Sequence, residues 1–200
     1  MHLPLLRSAQ PHLRFGKYAI VGGGACMMLG NTRTTEDVDF VVPRGETAAA
    51  CQSLRASSDF EIEPRTNHTK FKADGSSVEI QILAPPTLFR ESFDETTEVI
   101  TIKNVKVSKS ELLLIAKCRS MVERPGAEKR ATDQADILFL LRYCVEHPEF
   151  LPRFGEVPNA TLAFVNLFIQ QYGSQDIWVG AGYDLNHGLK GPKLLAVTPH

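Results

Sequence analysis

Three consecutive glycines, Gly22, Gly23 and Gly24, join an apolar run to a short apolar helix, and this junction constrains the fold more than any other part of the chain. Glycine has no Cβ, so the backbone here can approach a bulky anion closely. The free N–H groups at the start of the following helix favour the same kind of ligand. The segment therefore predicts a phosphate-binding turn built from the three glycines.

Two aspartates follow the helix on a predicted strand, in the sequence Asp37-Val38-Asp39-Phe40. Residues two apart in a strand point to the same face, so Asp37 and Asp39 project together while Val38 and Phe40 point into the core. Two carboxylates placed in this way repel each other unless a cation lies between them. Carboxylate oxygens suit Mg²⁺ or Mn²⁺, with substrate phosphates completing the coordination. The strand therefore predicts a site for a metal ion and a nucleotide.

These residues resemble the signature of the DNA polymerase beta-like nucleotidyltransferase superfamily. In that signature an apolar residue, Gly, and Gly or Ser precede Asp-apolar-Asp by roughly a dozen residues. Both Gly22-Gly23 and Gly23-Gly24 fit the spacing. The residues that look most like the branch of small abortive-infection (AbiEii-type) toxins are Gly30, Arg33, Thr34, Thr35 and the Asp37-Val38-Asp39 triplet. The resemblance implies an α+β fold, with a mixed β-sheet core, flanking helices and a C-terminal helical segment.

The resemblance also implies a third carboxylate on a later strand, for which Glu79 is the candidate. Alternation in that strand places Ile80 on one face and Glu79 with Gln81 on the other. The family more often has Asp at this place, and the longer Glu is a departure from its pattern. The resemblance thus implies that Asp37, Asp39 and Glu79 are the catalytic and metal-binding residues.

A lysine on a later predicted helix completes the implied nucleotide site. In the toxin-like branch such a lysine approaches the nucleotide phosphates, and by that resemblance Lys117 is a nucleotide contact, as is Arg33. Asp133 and Asp136 are then orienting or structural groups. The alternative is that Lys117 is a solvated helix lysine and that other cations pair with the two aspartates. Those other cations are Arg119, Lys129 and Arg130.

The predicted elements divide the chain into a nucleotidyltransferase core over residues 1–107, a helical extension packed on it over 108–172, and a Gly-rich tail over 173–200. Two hairpins, turning at Asp74-Gly75 and Lys103-Asn104, make the sheet mixed or largely antiparallel at its later edge. The tail is either a substrate-side flap, a partner-binding arm or a loosely packed terminus.

Charge and cysteine content limit the partners and the compartment. The net charge of −1 argues against a strong general affinity for nucleic acid. The four cysteines are widely spaced, so we expect buried free thiols and a reducing compartment. The N-terminal apolar run is too short for a signal peptide, and no stretch is long enough to span a membrane. We therefore expect a cytoplasmic protein without a membrane partner.

Together these features predict a metal-dependent nucleotidyltransferase that moves a nucleoside monophosphate from a nucleoside triphosphate to an acceptor. The expected cofactor is Mg²⁺ or Mn²⁺, and the nucleoside triphosphate is the expected substrate. The acceptor can be a small molecule, a protein or RNA. Two alternatives stay open: a catalytically inactive nucleotidyltransferase-fold module that binds or interacts, and a toxin-like enzyme that modifies protein or tRNA.

Overall fold

The computed structural model of the protein describes residues 16–66, 68–73, 76–123, 125–152, 157–186 and 188–189. The chain divides into two compact units between Lys109 and Ser110. The first unit contains a mixed seven-stranded sheet, and the second is mainly helical. The α+β class predicted from the sequence is therefore confirmed. In the described ranges, no helix combines the length and the apolar character needed to cross a membrane.

Seven strands form the sheet of the first unit. They are β1 (Ala19–Val21), β2 (Asp37–Val41), β3 (Phe60–Ile62), β4 (Thr69–Ala73), β5 (Ser76–Leu83), β6 (Val99–Ile102) and β7 (Val105–Ser108). Their order across the sheet is β3-β4-β5-β2-β1-β7-β6. Strand β2 is antiparallel to β1 and parallel to β5. This order places the acidic strand β2 at the centre of the sheet.

Both predicted hairpins are present, because β4 is antiparallel to β5 and β6 is antiparallel to β7. The second hairpin turns at Lys103 and Asn104, which have φ of 49° and 69°. Positive φ at both central residues is the backbone of the tight turn that matches strand twist. The predicted first turn, at Asp74-Gly75, lies outside the described residues.

Two helices of the first unit, α1 (Gly22–Met28) and α2 (Thr47–Arg55), are described. Helix α1 begins directly after β1, at the first glycine of the triplet. Glycine is a poor helix former, so packing rather than intrinsic propensity holds this first turn. Ala25 and Cys26 are fully buried and supply that packing. The junction of β1 and α1 is thus fixed by the core beneath it.

One face of β2 and β5 packs on the core and the other carries the predicted site. Val38, Phe40 and Ile80 are buried, whereas Asp37 and Asp39 between them are partly exposed. This is the alternation predicted for the acidic strand, and it is confirmed. Each fully buried large apolar side chain contributes about 1.5–3 kcal/mol relative to exposure. The core face therefore fixes the direction in which the aspartates point.

Four α-helices of the second unit are described, together with a short 3-10 helix and a small hairpin. The α-helices are α3 (Ser110–Glu123), α4 (Ala127–Glu146), α5 (Leu162–Tyr172) and α6 (Gln175–Gly180). The 3-10 helix covers Pro148–Phe150, and strands β8 (Tyr183–Asp184) and β9 (Gly188–Leu189) form the hairpin. Helices α3 and α4 pack along each other.

The single tryptophan lies at the centre of an aromatic cluster in the second unit. Trp178 is 1% exposed, and its ring meets those of Phe168 and Tyr183 edge-on at centroid distances of 5.5 and 5.6 Å. Edge-on aromatic pairs add about 0.5–1.5 kcal/mol beyond the burial of area. Within the predicted tail, Trp178, Ala181 and Tyr183 are therefore packed, and the role of the tail stays a prediction. Residues 190–200 lie outside the described part of the chain.

The four cysteines are free thiols, and all four are buried. They are Cys26, Cys51, Cys118 and Cys144. Burial in apolar surroundings makes a cysteine behave as a small hydrophobic residue. The expectation of buried free thiols is confirmed.

Candidate active site

Gly22 and Asp39 bring the glycine turn and the acidic strand together. A Cβ on Gly22 would overlap Oδ2 of Asp39, and Gly22 has a φ of +63°. Both the position of the carboxylate and the left-handed backbone therefore require glycine here. Val21 is opposite Asp39 in the β1–β2 pair. Because Gly22 directly follows Val21, this register brings Asp39 beside the glycine turn. The structure thus joins the first glycine to the second aspartate directly.

Gly23 lies under the loop that leads into the acidic strand. A Cβ on Gly23 would lie 2.5 Å from Nη2 of Arg33 and 3.2 Å from Oγ1 of Thr35. Nη1 of Arg33 also donates to the carbonyl oxygen of Thr34 at 3.0 Å. The guanidinium group, predicted to contact the nucleotide, is therefore positioned over the glycine turn in this structure.

Gly24 has a different environment from the two glycines before it. It is buried, and a Cβ there would lie 3.3 Å from Cγ2 of Ile20 and 3.8 Å from Cγ1 of Val38. Its small size therefore serves the packing of α1 on the sheet. Of the two registers left open by the sequence, Gly22-Gly23 is the one whose residues face Asp39 and Arg33.

Thr35 forms a hydrogen bond with Asp37, the other aspartate of the acidic strand. Its hydroxyl group donates to Oδ1 of Asp37 at 2.8 Å, across a separation of two residues. The same side chain packs against Gly23. A short side-chain hydrogen bond to a carboxylate restricts the rotation of that carboxylate. Thr35 therefore connects the glycine turn to the orientation of Asp37.

Glu79 lies on the neighbouring strand and faces a different set of partners. It stands opposite Asp37 in the parallel β2–β5 pair, on the same face of the sheet. Its Oε1 is 3.0 Å from Nε2 of His68 and 3.9 Å from Nζ of Lys70. Its side chain is half exposed. The structure thus places all three predicted carboxylates on one face, with the contacts of Glu79 directed toward β4.

The donor set fits a divalent cation that also binds substrate. Asp37 and Asp39 offer carboxylate oxygens from one sheet face, the donor type that Mg²⁺ prefers. In the part of the chain that the structure describes, no three His, Cys, Asp or Glu side chains converge on one point. Mg²⁺ commonly uses one or two carboxylates and completes its shell with phosphate oxygens and water. Asp37 and Asp39 are sufficient for that kind of site.

Lys117 belongs to the second unit and is buried there with two aspartates. Its Nζ lies 3.0 Å from Oδ1 of Asp133 and 2.8 Å from Oδ2 of Asp136. Both aspartates are fully buried and Lys117 is 8% exposed. The alternative of a solvated helix lysine is therefore wrong, since the ammonium group connects α3 to α4. A nucleotide contact at Lys117 stays a prediction.

Three neighbours of the predicted carboxylates were not predicted as site residues from the sequence: His68, Lys70 and Gln81. The signal for the first two is the alternation His68-Thr69-Lys70-Phe71, in which polar residues occupy every second place before and along β4. Gln81 follows Glu79 by two residues and therefore shares its face. Their proximity to the site depends on strand pairing, which a local pattern does not specify.

Comparisons with known proteins extend this description. No protein-family model and no curated protein matches the chain. Among solved structures, an antigenic nucleotidyltransferase-like protein from Paracoccidioides brasiliensis superposes with a TM-score of 0.57 at 24% identity, covering 87% of this chain and 86% of that one. The chain has a nucleotidyltransferase-like fold.

Two Helicobacter pylori structures share this nucleotidyltransferase-like fold. The protein JHP933 superposes with a TM-score of 0.55 at 16% identity, over 90% of this chain and 85% of that one. A proposed nucleotidyltransferase of the same organism gives 0.54 at 15% identity, over 89% and 87%. The glycine turn and acidic strand described above therefore belong to a nucleotidyltransferase-like framework. The narrower resemblance to abortive-infection toxins stays a prediction.

Proposed function

We propose that the protein is a metal-dependent nucleotidyltransferase that moves a nucleoside monophosphate from a nucleoside triphosphate to an acceptor hydroxyl. The observation that carries the proposal is the fit between Gly22 and Asp39, in which the carboxylate occupies the space that any side chain at Gly22 would need. A phosphate-binding turn and a metal-binding carboxylate must lie this close if one ligand is to touch both. The nucleotidyltransferase-like fold supports the same activity.

The reaction requires one bond to form and one to break at the α-phosphorus. The acceptor oxygen bonds to that phosphorus, the bond to the oxygen bridging the α- and β-phosphates breaks, and pyrophosphate leaves. The acceptor proton passes to a base or to water. Charge accumulates on the phosphate oxygens, so cationic groups and oriented donors accelerate the transfer.

Residues of the first unit supply the binding and orientation that this reaction needs. Gly22 and Gly23 allow the backbone to approach the phosphates, and the guanidinium of Arg33 over Gly23 provides positive charge for them. Asp37 and Asp39 would hold Mg²⁺ or Mn²⁺, which when bound neutralises triphosphate charge and polarises the α-phosphate. Thr35 keeps Asp37 oriented for this task.

A label-transfer assay tests the proposal. Each α-³²P-labelled nucleoside triphosphate is incubated with Mg²⁺ or Mn²⁺ and one of three acceptor pools: deproteinised metabolites, total RNA or total protein. The wild-type protein should move label to one pool, and Asp39→Asn should not. Glu61→Gln is the control, because Glu61 is an exposed carboxylate that pairs with Lys72 at 3.2 Å. Absence of transfer to all three pools, or equal transfer by Asp39→Asn, would overturn the assignment.

A further inference from the structure

Two rows of polar side chains lie on the face that carries the acidic pair, one across β2, β5 and β4 and the other across β2 and β5. In the first row Asp37 is opposite Glu79, and Glu79 is opposite Lys70. In the second row Asp39 is opposite Gln81. Residues directly opposite each other in neighbouring strands are in contact range on the same face. The neighbour of Asp39 on β5 is therefore an amide and not a carboxylate.

The neighbours of Glu79 favour an orientation of its carboxylate toward β4 rather than toward β2. On the β4 side, Oε1 of Glu79 is 3.0 Å from Nε2 of His68 and 3.9 Å from Nζ of Lys70. On the β2 side its neighbour in register is Asp37, whose carboxylate repels it. Both of these contacts are made by Oε1, and both lie on the β4 side of Glu79. The absence of a converging group of three ligands among the described residues agrees with this arrangement.

We infer that the metal centre uses two carboxylates, Asp37 and Asp39, with the amide of Gln81 beside them, and that Glu79 is a hydrogen-bond partner of His68 and an ion-pair partner of Lys70 rather than a metal ligand. The inference rests on the proposed function and specifies its ligand set. An amide oxygen is an acceptable but uncharged donor for a hard cation. The protein therefore supplies two negative charges to the metal, and the triphosphate supplies the others.

This ligand set predicts that metal affinity depends on Asp39 and not on Glu79. It also predicts that a carboxylate at position 81 strengthens metal binding. Position 81 is directly opposite Asp39, so a carboxylate there adds a negative charge next to the metal. Residues 79 and 81 are both exposed, so substitutions there leave the core intact. The same substitutions therefore test the site without disturbing the fold.

Mn²⁺ binding measured by the electron paramagnetic resonance signal of the free ion tests the inference. The titration is done with α,β-methylene-ATP present, and the nucleotide alone is the blank. We expect Asp39→Asn to weaken Mn²⁺ binding by about tenfold or more, and Glu79→Gln to leave it within about twofold of wild type. Gln81→Asp should tighten it by about tenfold. Glu61→Gln serves as the matched control, and thermal unfolding of each variant verifies folding.

A second variant tests the role of the two partners of Glu79, His68 and Lys70. Removing both partners by His68→Ala with Lys70→Ala should release Glu79, so Mn²⁺ affinity should rise, and the rise should vanish when Glu79→Gln is added. If Glu79→Gln weakens Mn²⁺ binding as much as Asp39→Asn does, Glu79 is a ligand and the inference is overturned while the proposed function stands. If Asp39→Asn leaves Mn²⁺ binding unchanged, the metal site of the proposed function fails as well.

Discussion

Oδ2 of Asp39 occupies the space over Gly22 that a Cβ would need, so the second aspartate and the first glycine form a single steric unit. Such a unit lets one substitution report on both the turn and the carboxylate. A methyl group at Gly22 must displace Asp39, and it must also adopt a φ of +63° that L-residues disfavour. The fold and the proposed metal site are therefore linked through this contact.

The Gly22→Ala variant should lose both stability and Mn²⁺–nucleotide affinity. Backbone strain alone costs about 1–2 kcal/mol at such a position. Displacement of Asp39 should add a loss of about tenfold or more in affinity. Gly30→Ala is the matched control, because Gly30 also has a positive φ, of +113°, but has open space around it. Urea unfolding and calorimetric titration measure the two effects. Equal affinities of the two alanine variants would contradict the contact.

The hydrogen bond from Thr35 to Asp37 should matter for ligand binding more than for folding. Thr35→Val removes the 2.8 Å donor while keeping the shape, so Asp37 should lose orientation and nucleotide–metal affinity should fall by about threefold to tenfold. Thr35→Ser keeps the hydroxyl and should restore the affinity. Calorimetric titration with Mn²⁺ and a non-hydrolysable ATP analogue distinguishes the two. A valine variant that binds like wild type would assign Thr35 to packing alone.

Lys117 should be required for the stability of the second unit. Lys117→Met leaves two fully buried carboxylates without their shared cation, and breaking a buried ion pair in this way costs about 3–5 kcal/mol. Replacing Asp133 and Asp136 by Asn in the same variant should recover part of the loss. Lys129→Met, at an exposed position of α4, is the control. The opposite result would be a free energy of unfolding equal to that of the control together with a loss of about tenfold in ATP affinity. That result would favour the nucleotide contact predicted from the sequence.

The thiol of Cys144 should react slowly with alkylating reagents in the folded protein. Burial raises the pKa of its thiol from 9.0 to about 11, although Ser110 partly opposes this effect. At pH 8 the thiolate fraction, and hence the alkylation rate, should be about a hundredfold below that of an unfolded thiol. Mass spectrometry after iodoacetamide treatment, with and without urea, measures the rates. Rapid alkylation of Cys144 without urea would contradict this prediction.

The same pKa shift fixes the direction of a pH effect on folding. Because the pKa of Cys144 is higher in the folded state, its contribution to stability is complete below pH 9 and is lost as the pH rises toward 11. Cys144→Ala should remove that part of the decline. Urea unfolding of both proteins between pH 8 and pH 11 measures it. An identical pH dependence in the two proteins would show that other groups cause the decline.

The sequence predicts strand faces and hairpins well because these depend on neighbouring residues. The alternation of Asp37, Val38 and Asp39 is a period-two pattern, and a strand can satisfy it in one way only. The turn at Lys103 and Asn104 is likewise a local feature. Such features need no knowledge of the rest of the fold.

Long-range packing accounts for what the sequence did not reveal. Helix α1 begins at Gly22 although glycine opposes helix formation, because the buried side chains that follow determine its start. Partners of Glu79 come from β4 and from the residue before it, and only the pairing of β4 with β5 brings Lys70 and His68 beside it. Lys117 is buried because two helices enclose it, whereas an isolated helix would leave it solvated. In each case the local conformation or burial depends on residues that are distant in sequence.

The burial of the only tryptophan gives this protein a built-in optical probe. Trp178 lies in the second unit, and the first unit contains no tryptophan at all. An indole surrounded by aromatic rings emits at shorter wavelength than one in water, so the emission maximum should move to the red when this cluster opens. Amide hydrogen exchange in strands β2 and β5 reports on the first unit. Comparing the fluorescence signal with the signal of the first unit over one denaturant series would reveal whether the two units unfold in one transition or in two.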